Sequence, residues 1–485
     1  MESRLNQFGD SRRQNAIFWL LCILFVLANT YALVHDLKWV TSIPFVLGAF
    51  LLVFFHLEKA LLFLSFLVPL SVNFEDVGFG LGISLPDEPL IILIMFLSLF
   101  KIFIKSEYDL AVFRHPITII ILANLLWMLI TCFTSQMPLV SFKFFMSRLW
   151  YVVVFYFMAI MLFKKRSNIK AFYWLHILSL TFVIAYTMYN HANLGFTREA
   201  SYLVMQPFYI AHGIYAAAIA FCIPILVIWV LRWQQLFKLS RVYWLFAAVL
   251  LYLFCTGLLY SYTRAAWISV FVLPALALPM LLRIKLNTLI ILCLVSASIF
   301  LAFKHEIYYL LSKNDDVSST DISVHLKSVT NVKSDASNAE RINRWMSAIE
   351  MYKERPVIGF GPGTYMFLYG PYQQSNYWTI ISTNHGDIGN AHSEYLGTLS
   401  ESGLLGLLTL LGMIYMFFLT GFRLFYTANR PFVKWYAMAI VLGLSTYLVH
   451  AVMNNYMESD KIAMLWWSSM ALLVSLDLYH NNVES

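Results

Sequence analysis

Apolar runs about as long as a bilayer-crossing helix, separated by short polar turns, fill most of the chain. They fall at about 16–34, 38–57, 59–72, 88–105, 115–133, 144–163, 171–189, 208–231, 243–262, 265–282 and 286–303. Three more follow at about 402–422, 433–453 and 461–479. The pattern predicts an all-α polytopic membrane protein of about 12–14 transmembrane helices with one large, partly helical outer loop. Its parts are an N-terminal transmembrane bundle (1–303), the loop (304–401) and a C-terminal group of transmembrane helices (402–485).

The loop itself divides. Residues 313–339 are rich in Ser, Asp and Asn with few large apolar side chains, the composition of a flexible segment. From Glu340 the pattern changes. Ile342, Trp345, Met346, Ile349 and Tyr352 recur at helical spacing and predict an amphipathic helix at the bilayer surface, capped by Asn338. Pro356 ends it, and Gly359, Gly361 and Gly363 predict a tight turn. An aromatic, polar stretch that includes Tyr365 suits the membrane interface and also stacking on sugar rings. It leads to Asn390 and His392, just before the next apolar run.

Composition agrees with the pattern: of 485 residues 60% are hydrophobic and 12% charged. The net charge of +7 does not point to nucleic acid, because Lys and Arg sit in short loops between apolar runs rather than in an aromatic-interleaved basic patch. With Arg4, Arg12 and Arg13 placed in the cytoplasm, alternate loops such as Lys164–Lys165–Arg166 fall on the same side. Both termini are then cytoplasmic and the 304–400 loop lies outside, as expected for a bacterial inner-membrane protein with a periplasmic loop. The first run lacks a small-residue cleavage site and reads as an uncleaved helix. Cys22, Cys132, Cys222, Cys255 and Cys293 all lie in apolar runs without a CxxC spacing, which argues for inert thiols and against a zinc site or disulfides.

The candidate chemistry clusters near the loop. Arg264 stands at the outer end of a span, where an Arg beside hydrocarbon is costly unless paired or solvated. It reads either as a snorkelling anchor or as a phosphate ligand, since guanidinium matches phosphate oxygens in a fork. Arg341 and Arg344 lie three apart on the predicted helix, as a solvated face or as a clamp with Arg264 for a diphosphate. His392 is a candidate base for a hydroxyl, with Glu394 and Glu401 placed to orient its ring. His305, His325 and His385 in the same loop show how little the residue type says alone. His450, Asn454, Asn455 and Asp460, at the end of a late hairpin, are placed to line the same cavity. The GxGxG lacks the strand and helix of a nucleotide site, and there is no HExxH, GxSxG or DxD-like pair in the loop, so no metal and no cofactor is expected.

The ordered set Arg264, Arg341-Ile-Asn-Arg-Trp345, Pro356-Val-Ile-Gly359-Phe-Gly361-Pro-Gly363, His392 and Glu401-Ser-Gly403-Leu-Leu-Gly406 resembles the O-antigen ligase/polymerase superfamily of bacterial envelopes. The likeness covers roughly residues 240–425. It departs at Ser393, where the family often has Asn. The resemblance implies a metal-independent, inverting glycosyltransferase that takes a polyprenyl (undecaprenyl) diphosphate-linked glycan as donor. The acceptor would be a hydroxyl on a glycan, lipid or protein at the membrane. On that reading His392 is the base, Arg264 and Arg341 hold the diphosphate, and Arg344, Glu394, Glu401 and Tyr365 bind substrate. Ligase and polymerase share these motifs. A lipid-linked glycan flippase or other transporter is the rival from another class, and it would place ionisable groups or broken helices near the midplane. A non-catalytic assembly subunit is the third.

Overall fold

The computed structural model describes residues 19–20, 22–35, 38–74, 83–105, 109–237, 241–302, 336–377 and 389–481. The expected flexible segment, except for its last four residues, and His305, His325 and His385 lie outside them. The chain divides into two compact units, Met1–Ala60 and Leu61–Ser485. In the first, apolar helices cover Cys22–Val34 (α1) and Ile43–Phe55 (α2).

The other long helices are α3 (Leu57–Leu67), α4 (Asp87–Lys105), α5 (Pro116–Phe133), α6 (Pro138–Phe163), α7 (Arg166–Asn193), α8 (His212–Leu231), α9 (Arg241–Leu259) and α10 (Arg264–Leu281). They are followed by α11 (Leu286–Ala302), α12 (Ala336–Glu354), α13 (Glu394–Thr427), α14 (Pro431–His450) and α15 (Asp460–His480). Among the described residues nine are long and apolar enough to cross a membrane, α5 to α10 and α13 to α15. The protein is therefore all-α and polytopic. The run at 59–72 departs from expectation: α3 stops at Leu67, and a turn through Pro69 leads into a small antiparallel hairpin, β1 (Val72–Phe74) with β2 (Ile83–Leu85). Proline has no N–H to continue a helical ladder.

The centre of the second unit is built on α8, α14 and α15, with about 80% of their apolar windows buried, whereas α9 and α10 are mostly open on their flanks. Ala216, Ala217 and Ala218 let the backbone of α8 approach its neighbours, as small residues do between membrane helices. Trp229, Trp466 and Trp467 fill the interior.

α12 begins at Ala336, two residues before the expected cap Asn338. Its most buried positions are Glu340, Asn343, Ser347, Ala348 and Met351, while Ile342, Trp345, Met346, Ile349 and Tyr352 are only half-buried. The face packed on protein is thus the polar, small-residue one. Asn343 explains why. Its Oδ1 accepts from Gln374 N at 2.8 Å, and Ala348 and Met351 pack with Phe360, Tyr365 and Tyr369.

The glycine turn after α12 docks on a kink in α13. Gly359 (φ 66°) and Gly403 (φ 66°) both occupy the left-handed region that favours glycine. A Cβ on Gly359 would lie 2.3 Å from the Glu401 carbonyl carbon, and one on Gly403 would lie 2.1 Å from Val357 O. Phe360 N and Gly361 N donate to Ser400 O (3.1 Å) and Glu401 O (2.8 Å), which closes the joint.

Candidate active site

His392 is held by its backbone on both sides. Its N–H donates to Asn390 Oδ1 at 3.0 Å, and its carbonyl accepts from Trp345 Nε1 at 3.1 Å. Its φ is +47°, a conformation that costs a non-glycine residue about 1–2 kcal/mol. Ser393, the departure from the family pattern, caps α13 by accepting from Leu396 N at 3.4 Å. Burial, then the charges of Arg344 and Arg341, push the imidazole down to about 3, so it is neutral at pH 7.

The two arginines of α12 diverge. Arg344 faces the protein: Nε donates to Glu340 Oε1 at 2.7 Å, Nη1 donates to Asn390 O at 3.0 Å, and the guanidinium lies 5.3 Å from the Tyr369 ring. It ties α12 to the segment that carries His392. Arg341 instead exerts its charge on His392, His212, His450 and Tyr456, which places it among the ends of α8 and α14 and the loop that follows α14. His450 Nδ1 is 3.0 Å from Asn454 Nδ2, and its ring lies 5.5 Å from Tyr456.

Arg264 is the first residue of α10, preceded by Thr263. The turn before it is fixed by Tyr262, whose hydroxyl donates to Phe196 O at 2.8 Å just beyond α7. Arg264 thus stands at the end of the bundle where α8 begins and α14 finishes.

Three residues expected to bind substrate are engaged with protein atoms. Glu394 does not turn to the imidazole: Oε1 accepts from Tyr456 N (2.8 Å), Met457 N (2.7 Å) and the Tyr447 hydroxyl. With its amide suitably turned, Asn455 adds donors at 2.8 and 2.9 Å. Glu401 likewise accepts from Tyr365 N at 3.0 Å and secures the glycine turn. Both carboxylates satisfy buried backbone amides, which are costly to leave unbonded. Tyr365 is 2% exposed, stacks on Tyr369 at 5.1 Å and donates to Arg344 O at 2.8 Å, so its face is closed to a sugar.

Other groups near the site were not singled out from the sequence. His212 and Tyr456 carry no motif. Arg148 did give a signal, because it is a charged residue inside the apolar run 144–163. No group of three or more His, Cys, Asp or Glu able to hold a metal occurs among the described residues.

Residues 249–411 match the family model described as O-antigen ligase. The segment runs from α9 through Arg264, α12, the glycine turn and His392 to beyond the kink at Gly403. No curated protein matches the chain.

Proposed function

We propose that this chain, which carries a domain of the O-antigen ligase/polymerase superfamily, transfers a glycan from a polyprenyl diphosphate, undecaprenyl in bacteria, to an acceptor hydroxyl at the periplasmic face of the inner membrane. The observation that carries the reading is a neutral, half-buried His392 within the matched segment, under the charges of both Arg344 and Arg341. The acceptor oxygen attacks the anomeric carbon opposite the diphosphate, an imidazole nitrogen of His392 takes the hydroxyl proton, and the sugar–oxygen bond to phosphate breaks. The electron pair leaves on the diphosphate, which Arg341 and Arg264 stabilise. Anomeric configuration inverts, and the products are the glycoside and free polyprenyl diphosphate.

The field of the arginines gives the order of events a physical basis. Burial, and after it the charges of Arg344 and Arg341, holds His392 well below the range useful to a base near neutral pH. A bound diphosphate supplies opposing charge and raises its basicity. The donor thereby activates the base that deprotonates its attacker. Ligase and polymerase differ in the acceptor, and we favour a ligase because the motif set resembles the matched domain.

The test is transfer from a synthetic lipid-linked glycan by purified protein in detergent with EDTA, comparing wild type, His392→Ala and Arg264→Ala. Wild type should release product and polyprenyl diphosphate, and both variants should lose at least a hundredfold in rate. Variants as active as wild type would defeat the assignment, and a wild type that forms no product in detergent but moves intact donor across the bilayer of sealed vesicles would favour the flippase.

A further inference from the structure

A cavity lies beside the 454–458 loop. Its outer lobe, about 360 Å³, is lined by Lys143, Phe144, Arg148, Met366, Phe367 and Glu458. Phe144, Arg148, Met457 and Glu458 also line a narrower inner lobe, whose wall includes Glu394, two residues along from His392. A volume of about 300–1,000 Å³ is usual for a small-ligand site.

Arg148 is the central group. Among the described residues its contacts are with rings, 5.5 Å to Phe144 and 5.9 Å to Trp467, and no carboxylate lies within ion-pair distance. Yet it acts electrostatically on Glu394, Glu401 and Glu458. A gap therefore separates a guanidinium from carboxyls across the cavity. Glu394 and Glu401 are engaged with backbone amides, which leaves Glu458 facing the space. It borders the void, yet protein crowds around it, and burial with the charges of Glu401 and Glu394 pushes its carboxyl up to about 8.

This lining discriminates among ligands. An anion would meet three acidic groups, a cation would meet Arg148 and Lys143, and an acyl chain would desolvate all of them. A neutral pyranose suits each wall: its hydroxyls accept from guanidinium and donate to carboxyl, while its C–H face lies on Phe144 and Phe367. We propose that the Arg148–Glu458 cavity is a subsite for a neutral sugar unit of the glycan chain. It rests on the transferase reading above, and the sugar can belong to the donor chain or to the acceptor.

The full chain in lipid nanodiscs is titrated with glucose, galactose, N-acetylglucosamine, rhamnose and their β-linked disaccharides, and binding is read by saturation-transfer NMR. At least one sugar should give signal that falls fivefold or more in Arg148→Leu and in Glu458→Ala but persists in Arg341→Ala. Because Glu458 borders open space, Glu458→Ala decides alone where Arg148→Leu fails to fold. No signal from any sugar with wild type, or undiminished signal in Glu458→Ala, overturns the subsite. The readout needs no turnover, so it stands apart from loss of the transferase reading, which shows as absent polyprenyl diphosphate release. In transfer assays with Glu458→Ala, a raised KM for the lipid-linked glycan assigns the sugar to the donor and a raised KM for the acceptor assigns it there. A change in neither also overturns the subsite.

Discussion

The indole N–H of Trp345 donates to the backbone carbonyl of His392 at 3.1 Å, so α12 sets the position of a residue 47 further along the chain. Trp345→Phe keeps most of the packing and removes the bond. It should cut the transfer rate about tenfold, with about 1 kcal/mol lost in stability, the scale of one hydrogen bond. Parallel rate and thermal-melt measurements check the ratio.

Arg341 and Arg344 separate by consequence. Arg344→Lys cannot reproduce the paired Nε and Nη1 bonds to Glu340 and Asn390 and should destabilise the protein by about 1–3 kcal/mol. Arg341→Lys should leave the melting temperature near wild type and raise donor KM tenfold or more. Equal melting losses in the two would reject the division.

Glu394 offers a contrast between two substitutions. The Tyr447 hydroxyl and the Tyr456 and Met457 amides all donate to Oε1, and Asn455 can turn its amide to meet a new –NH2 on the other side. Glu394→Gln should therefore melt within about 1 kcal/mol of wild type, whereas Glu394→Leu leaves buried amides unbonded and should lose about 3 kcal/mol or more. A Gln variant as unstable as the Leu variant would show that the charge itself is required.

His392 and Glu458 titrate in opposite senses. The folded value of His392 is about 3, below its ordinary 6.5, so the unfolded chain binds more protons between those values and its share of stability falls as pH drops from about 6.5 toward 3. Glu458 is raised from 4.5 to about 8, so its share is present at low pH and is lost as pH rises from about 4.5 through 8. Melts of His392→Gln and Glu458→Gln against pH should remove one slope each.

Much of this was legible in the sequence because the strongest signals are physical ones. Runs of membrane length named most of the long helices, and Gly359, Gly361 and Gly363 marked a turn in backbone conformations that other residues resist. The buried face of α12 was not legible, because hydropathy ranks Ile342 and Trp345 above Asn343 and Ser347. In the fold, the backbone amide of Gln374 donates to Asn343 and rewards the polar face. Nor could spacing show that Glu394, two residues from His392, turns away to Tyr456 and Met457, 62 and 63 residues later. Arg148 and Glu458 come to line one cavity only through the folding of α6 against the loop before α15.

The most direct test pairs donor affinity with turnover in one preparation. Undecaprenyl diphosphate binding and glycan transfer are measured for wild type, Arg341→Ala and His392→Ala. The account predicts that His392→Ala binds the lipid diphosphate within about threefold of wild type, a difference under 1 kcal/mol, yet forms no product. Arg341→Ala should lose binding and transfer together. Sustained transfer by His392→Ala, or unchanged lipid binding by Arg341→Ala, would contradict it.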